Sequence, residues 1–347
     1  METAVRQLPL FGDIPTSSLA RFAAEQRPIL VVVSDTEEEW DWSARPPFDR
    51  ARTSVRAMAH VHRGQEIFDS FGIRPCYVID YPVVSQATGY EPLLEIHGDG
   101  RCEIGAHLHP WVNPPHEEQV CVRNSFAGNL SPHLEEEKLR VLNERIGEVF
   151  GAPATTYKAG RYGIGRNTAG ILERLGFRVD LSVQPPFDYR DQEGPDFSRH
   201  PTRPFWFGGE RRMLCAPSTG ALVGYLGGLR EPIYRAAHHP LLYKLRMPGI
   251  LSRTGAVERL RLSNENYTPA ENIRLTRWLH ARGERVFVFS YHSPSLEAGH
   301  SPYVRTEADL AKFLDGFRRY FDFFFGEFGG MTMTPTELRD QLAKGTA

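Results

Sequence analysis

Three strand-like runs in this chain end in residues able to hold a metal ion or move a proton. The stretch VVVSDTEEEWDW (31–42) passes from a β-branched apolar run into an Asp-x-Glu pair, Asp35 and Glu37. A run of this make-up reads as a buried parallel strand, and α/β enzymes place their chemistry at the C-terminal mouth of such strands. Two carboxylates this close raise each other's pKa unless a cation or a division of labour separates them, one binding metal and the other acting as base. A solvated acidic loop is the competing reading, because Glu38, Glu39 and Asp41 follow directly. EIGAHLHPW (103–111) runs from a short apolar strand into His107 and His109. Strand alternation places residues i and i+2 on one face, so both imidazoles can share one ion, although a pair of hydrogen-bonded surface histidines has the same pattern. VFVFSYHS (286–293) delivers His292 at its end, where taken alone it reads equally as a structural histidine. Together, three strand ends carrying Asp/Glu, His/His and His point to metal-assisted hydrolysis more strongly than any one of them.

In this order the motifs resemble those of the NodB-homology polysaccharide deacetylases, carbohydrate esterase family 4, whose first motif pairs a base Asp with a metal-binding acid. The resemblance implies Asp35 as base and Glu37 as ligand. The family's second motif has two histidines separated by three residues; here Trp111 stands where the second would fall, so His107 and His109 become the expected ligands, with His116 as the substitute for His109. Lys158-Ala-Gly-Arg-Tyr-Gly is similar to the third motif, which makes Arg161 the matching residue and Tyr162 the oxyanion amide donor. Asp188-Tyr189 is similar to the fourth, and FSYHSPSL to the fifth, with His292 as the acid. On this pattern Arg161 holds Asp35 charged and is itself positioned by Asp188. Asp80, at the end of the second strand, either reaches the pocket or serves a turn. The matches span residues 30 to about 296, and the likeness is greatest to the WalW-type branch linked to lipopolysaccharide biosynthesis.

Positioning such a site requires alternating strands and helices. Candidate strands are Ile29–Ser34, Arg74–Ile79, Cys102–His107, Thr156–Ala159, Phe177–Ser182, Met213–Ala216 and Val286–Tyr291. Between them, Leu139, Leu142, Ile146 and Val149 form one apolar helical stripe that stops at Gly151, and Ile171, Leu172 and Leu175 another that stops at Gly176. Thr268-Pro-Ala-Glu opens a helix with an N-cap, Pro at N1 and Glu at N3, and Thr306 with Asp309 repeats the device. Leu310, Phe313, Leu314, Phe317, Phe321 and Phe324 then line one side of a last helix, as core packing. Seven strands suit the distorted seven-stranded (β/α) barrel, an α/β fold, that the resemblance implies. The expected organisation is an N-terminal extension over 1–26 and a barrel over 27–347, with a helical cap over 217–265 inserted before the last strand. That insertion carries seven Arg or Lys, from Arg230 to Arg261, and reads either as a solvated face or as a surface for an anionic glycan or phosphate.

The chain of 347 residues, 41% hydrophobic, can fill such a core, and its formal charge of −2 argues against a nucleic-acid partner. Cys76, Cys102, Cys121 and Cys215 show neither C-x-x-C spacing nor a disulfide framework. The start METAVRQLPLFGDIP lacks a basic stretch followed by a long apolar run, and no window reaches the ~20 apolar residues of a membrane span. A cytoplasmic location is the expectation. The expected activity is metal-dependent removal of an N-acetyl group from an amino sugar of a glycan or its precursor. Zinc is the first expectation from the His/His/carboxylate donors, and Co, Ni or Fe can share them. Two alternatives remain: hydrolysis of a non-sugar linear or cyclic amide at the same site, and a catalytically silent glycan-binding or assembly protein.

Overall fold

The computed structural model describes residues 8–23, 25–39, 48–209 and 213–344; Asp41 of the acidic run and residues 1–7 of the expected extension lie outside them. Its strands are β1 (Ile29–Thr36), β2 (Cys76–Ile79), β3 (Glu103–Leu108), β4 (Thr156–Ala159), β5 (Val179–Asp180), β6 (Phe205–Phe207), β7 (Met213–Cys215), β8 (Gly220–Val223), β9 (Glu258–Arg261), β10 (Val286–His292) and β11 (Met331–Thr332). Seven of them run parallel in the order β10-β1-β2-β3-β4-β5-β7, and these are the seven read from the sequence. β6 adds an antiparallel edge to β7, and β11 pairs with the start of β1. The N-terminal segment covers that edge through the Leu8–Gly208 and Leu19–Phe205 bridges, which keeps β6 from offering a free row of backbone groups. The sheet curls into a distorted (β/α) barrel.

Period-two alternation divides the parallel strands cleanly into an inner and an outer face. Ile29, Val31 and Val33 of β1, Cys76 and Val78 of β2, Val179, Leu214, and Val286 and Val288 of β10 form one buried cluster, plugged by Leu338 and Leu342 of the C-terminal helix Pro335–Lys344. Leu30, Val32, Tyr77, Ile79, Phe287, Phe289 and Tyr291 point the other way, into a larger cluster with the surrounding helices. Extending the inward parity to the strand ends places Asp35, His107, Lys158 and His292 inside the barrel mouth. Register does the rest: Asp35 lies opposite His292 on β10, and His107 opposite Lys158 on β4.

The helices form where the apolar stripes lie. Pro132–Phe150 ends at Gly151, which adopts φ 84° to close the turn, and Thr268 and Thr306 make reciprocal capping boxes with Glu271 and Asp309. The aromatic stripe on Glu307–Phe321 packs as core: Phe317 lies 5.5 Å from Phe289, 5.1 Å from Tyr291 and 5.4 Å from Phe68, ring centre to ring centre.

Residues 217–265 are α-helical over Arg230–Ala237, Pro240–Lys244 and Met247–Arg253, after a 3-10 turn at Gly227–Leu229; their two ends form the antiparallel hairpin β8/β9. The residues that flank this hairpin also bond to β10. Thr219 N–H donates to the Val288 carbonyl (3.3 Å), Val288 N–H to Thr219 Oγ1 (2.8 Å) and Ser290 N–H to the Leu262 carbonyl (3.2 Å). The insertion is therefore part of the barrel wall as well as a cover. No helix among the described residues is long and apolar enough to cross a membrane.

Candidate active site

At the mouth of the barrel, Glu37, His107 and His109 present one ligand atom each within 4.8 Å of one another, and all three are buried. Glu37 Oε2 lies 3.3 Å from His107 Nε2 and 3.4 Å from His109 Nε2. Ligands about 2.1 Å from a tetrahedral ion sit about 3.4 Å apart, so these atoms are already spaced for one. The far nitrogens are fixed: His107 Nδ1 donates to the Lys158 carbonyl (2.9 Å) and His109 Nδ1 to Glu38 Oε2 (2.7 Å). Both tautomers thus leave an Nε2 lone pair facing inward, the arrangement of metal-binding imidazoles held by a second layer of acceptors. Burial depresses the His109 pKa and favours the neutral ligand form. The donor set fits a divalent cation. His116 belongs to no such cluster among the described residues.

Trp111 explains why histidine is not needed at its position. Its indole stacks on His109 (4.4 Å between centres, 22°) and donates Nε1–H to Glu38 Oε1 (2.9 Å), so it braces the ligand and its acceptor together. Glu38 is buried, not part of a solvated acidic loop. Burial first, with Glu37 adding repulsion, pushes its carboxyl up to about 7. Asp80 does reach this region: it caps the helix Tyr81–Ser85 through Val83 N–H (2.8 Å) and accepts from Glu38 N–H (2.8 Å). Burial pushes it up as well, so the two acids are not both ionised at neutral pH.

The cation beside Asp35 is Lys158, and this corrects the sequence reading of Arg161. Lys158 Nζ donates to both Asp35 oxygens at 2.5 and 2.7 Å with both groups buried. Burial opposes ionisation of Asp35, but Lys158, His107 and His292 outweigh it and pull its carboxyl down to about 2. Arg161 turns elsewhere. It and Tyr162 both adopt positive φ (54° and 59°), a strained pair of left-handed residues that aims the guanidinium at Ser125 Oγ and Gln192 Oε1, over the rings of Phe126 (4.1 Å) and Phe48 (5.0 Å). The expected Arg161–Asp188 pair does not form either. Asp188 is bound by Arg190, two residues on in its own turn, at 2.9 and 2.6 Å, where the local pairing wins.

His292 lies beside Asp35 on the neighbouring strand, Nε2 to Oδ2 3.7 Å. Its other nitrogen donates to Glu265 Oε2 at 2.6 Å; Glu265 is fully buried and also accepts from His292 N–H (3.0 Å) and Ser295 Oγ (2.7 Å). Burial works against the imidazolium, yet Glu265, Glu37 and Asp35 outweigh it and raise His292 to about 10. Tyr162 lines the opposite wall, its hydroxyl accepting from Arg261 Nη1 (3.1 Å) and its ring lying 5.2 Å from Lys158 Nζ. The cavity at the mouth is about 190 Å³, bounded by Asp35, Glu37, the histidines, Arg161, Arg261 and Tyr303. Lys158, Glu38, Glu265 and Arg261 were not assigned from sequence. Only Lys158 carried a signal, since a lysine inside an apolar strand must find a partner.

No family model matches the chain, and no curated protein matches it in sequence. Among solved structures, a candidate polysaccharide deacetylase from Mycobacterium smegmatis superposes with a TM-score of 0.54 at 16% identity, covering 96% of this chain and 96% of that one. The allantoinase PuuE superposes with a TM-score of 0.53 at 12% identity, over 98% and 97%. The chain shares the barrel fold of these proteins.

Two outcomes follow from the pairing. Lys158→Ala leaves a carboxylate buried without its cation and should destabilise the fold by about 3–5 kcal/mol. Arg161→Ala should cost less; a urea titration that ranks them the other way would contradict the assignment. For His292 the folded value exceeds the ordinary 6.5, so its pairing with Glu265 stabilises fully below pH 6.5 and is lost as pH rises through about 10. In the metal-free protein, Glu265→Gln should move the NMR titration midpoint of His292 downward, and an unmoved midpoint would exclude Glu265 as the cause.

Proposed function

We propose that the protein is a metal-dependent hydrolase that removes an N-acetyl group from an amino sugar of a glycan or glycan precursor. The observation that carries this reading is the placement of an ionised Asp35 and a protonated His292 side by side at the cavity that also holds the Glu37/His107/His109 cluster. Two titratable groups pushed in opposite directions at one cavity supply a base and an acid at the same pH.

A divalent ion held by Glu37, His107 and His109 would supply Lewis acidity toward an amide carbonyl and acidify water. Asp35, kept as carboxylate by Lys158, takes a proton from the attacking water. Its low basicity limits how strongly it can pull. His292 delivers the Nε2 proton to the amine nitrogen as the C–N bond breaks, and Glu265 holds the ring so that Nε2 faces the cavity. Tyr162 is our candidate for the backbone donor to the developing oxyanion. Acetate and a free amino sugar leave.

The small cavity also suits a compact linear or cyclic amide, with Arg161 and Arg261 meeting an anionic group on it. Acetate release from N-acetylated sugars separates the two readings. With an active sugar in hand, Asp35→Asn should retain the metal and lower kcat by about 10² or more. Near wild-type turnover in that variant would remove Asp35 from the mechanism.

A further inference from the structure

A second cavity, of about 530 Å³, opens between the β8/β9 hairpin, the helix Pro269–His280 and the loop that follows β5. That volume suits a ligand the size of a substituted sugar. Its lining is unusual in charge. Arg230 and Arg282 both pack on the indole of Trp278, their guanidinium carbons 4.8 and 3.6 Å from its centre, and Arg259 lies 4.0 Å from Phe187 and 5.4 Å from Tyr234. None of these three arginines makes an ion pair among the described residues. The carboxylates that border the cavity are already engaged: Asp188 with Arg190 (2.6 Å), Glu231 with Arg235 (2.7 Å) and Glu284 with Arg203 (3.5 Å).

Two further features mark the cavity as a binding site instead of a solvated face. Burial and the neighbouring Arg282 both act against the Arg230 charge, so two cations are held close with no anion between them. His200, 9% exposed and lining the same cavity, has both ring nitrogens without a hydrogen-bond partner. Its ring is fixed by stacking on Phe11 (5.7 Å, 27°) and by the edge of Phe197 (5.1 Å). A buried imidazole with neither nitrogen satisfied costs free energy.

We propose that this cavity binds a phosphate ester carried on a sugar, with Arg230, Arg259 and Arg282 meeting the phosphate and Trp278 packing against the ligand. Guanidinium groups match the oxygens of a phosphate in geometry as well as charge. The cavity adjoins the catalytic one: Asp188 and Arg259 line this cavity, while Tyr189 and Arg261, next in sequence and two residues on along β9, line the catalytic one. Resting on the deacetylase reading, the site anchors the phosphate of a phosphorylated N-acetyl sugar while the amide occupies the barrel mouth.

The test is calorimetric titration of the metal-free full chain with inorganic phosphate, N-acetylglucosamine 1-phosphate and N-acetylglucosamine. The phosphorylated sugar should bind at least ten times more tightly than the plain one, and more weakly as salt rises. Arg230→Ala/Arg282→Ala should lose at least tenfold for phosphate and the phosphorylated sugar, with Arg282→Gln alone, at an exposed position, giving a smaller loss should the double variant fail to fold. Equal affinity for the two sugars, or phosphate affinity unchanged in Arg282→Gln, would overturn the proposal. So would loss of phosphate affinity on Arg261→Gln alone, which would place the anion in the catalytic cavity. Because no turnover is measured, a protein that binds the phosphorylated sugar but never releases acetate would refute the deacetylase reading and leave the anion site standing.

Discussion

A barrel core cannot hold an unpaired charge, and the whole site is arranged around that constraint. Isolating a carboxylate from water costs several kcal/mol even after relaxation, so each inward-facing acid must have a cation or a proton. Asp35 has Lys158, held at 2.5 Å. Glu265 has His292 on one side and Arg261 at 3.6 Å on another. Glu38 and Asp80, with no full cation between them, rise in pKa instead. Glu37 is opposed by burial, but His292 and the two ligand histidines outweigh that and hold its carboxyl below the usual range.

Strand geometry delivers this arrangement. Alternation that sends Val31, Val33, Val286 and Val288 inward to fill the barrel also sends Asp35 and His292 inward once the strands reach the mouth. The close packing leaves little freedom. At Gly160 a Cβ atom would fall 2.2 Å from Cδ2 of His109, so glycine there lets the loop after β4 lie against the ligand ring. At Gly105 a Cβ would come within 2.8 Å of Val78 Cγ1, where the narrow interior needs the smallest residue.

Much of this was legible in the sequence because it rests on local pattern. The seven parallel strands announced themselves as apolar runs, and Asp35, Glu37, His107, His109 and His292 lay at the ends of three of them. What stayed hidden depends on contacts between distant segments. Glu265 precedes His292 by 27 residues in a polar turn, and nothing local marks it. Motif likeness drew attention to Arg161 and away from Lys158, three residues earlier in the same phrase, because only the backbone conformation at 161 and 162 decides which cation faces Asp35. Trp111 looked like the loss of a ligand; in the fold it supports one. The hairpin β8/β9 was masked by the charge of the insertion, which suggested an inserted helical cap where there is also barrel wall.

The central claim is that Glu37, His107 and His109 form a single metal site whose geometry is set before the ion arrives. Equilibrium dialysis of the purified, metal-stripped chain against zinc, with cobalt as a spectroscopic stand-in, addresses it most directly. The account predicts one ion per chain, no tight binding in His107→Ala or His109→Ala, and affinity weakened by about 10- to 100-fold in Glu38→Ala, which keeps all three ligands but removes the acceptor that orients His109. A wild-type chain that takes up no ion, or one whose stoichiometry survives His107→Ala and His109→Ala unchanged, would contradict it.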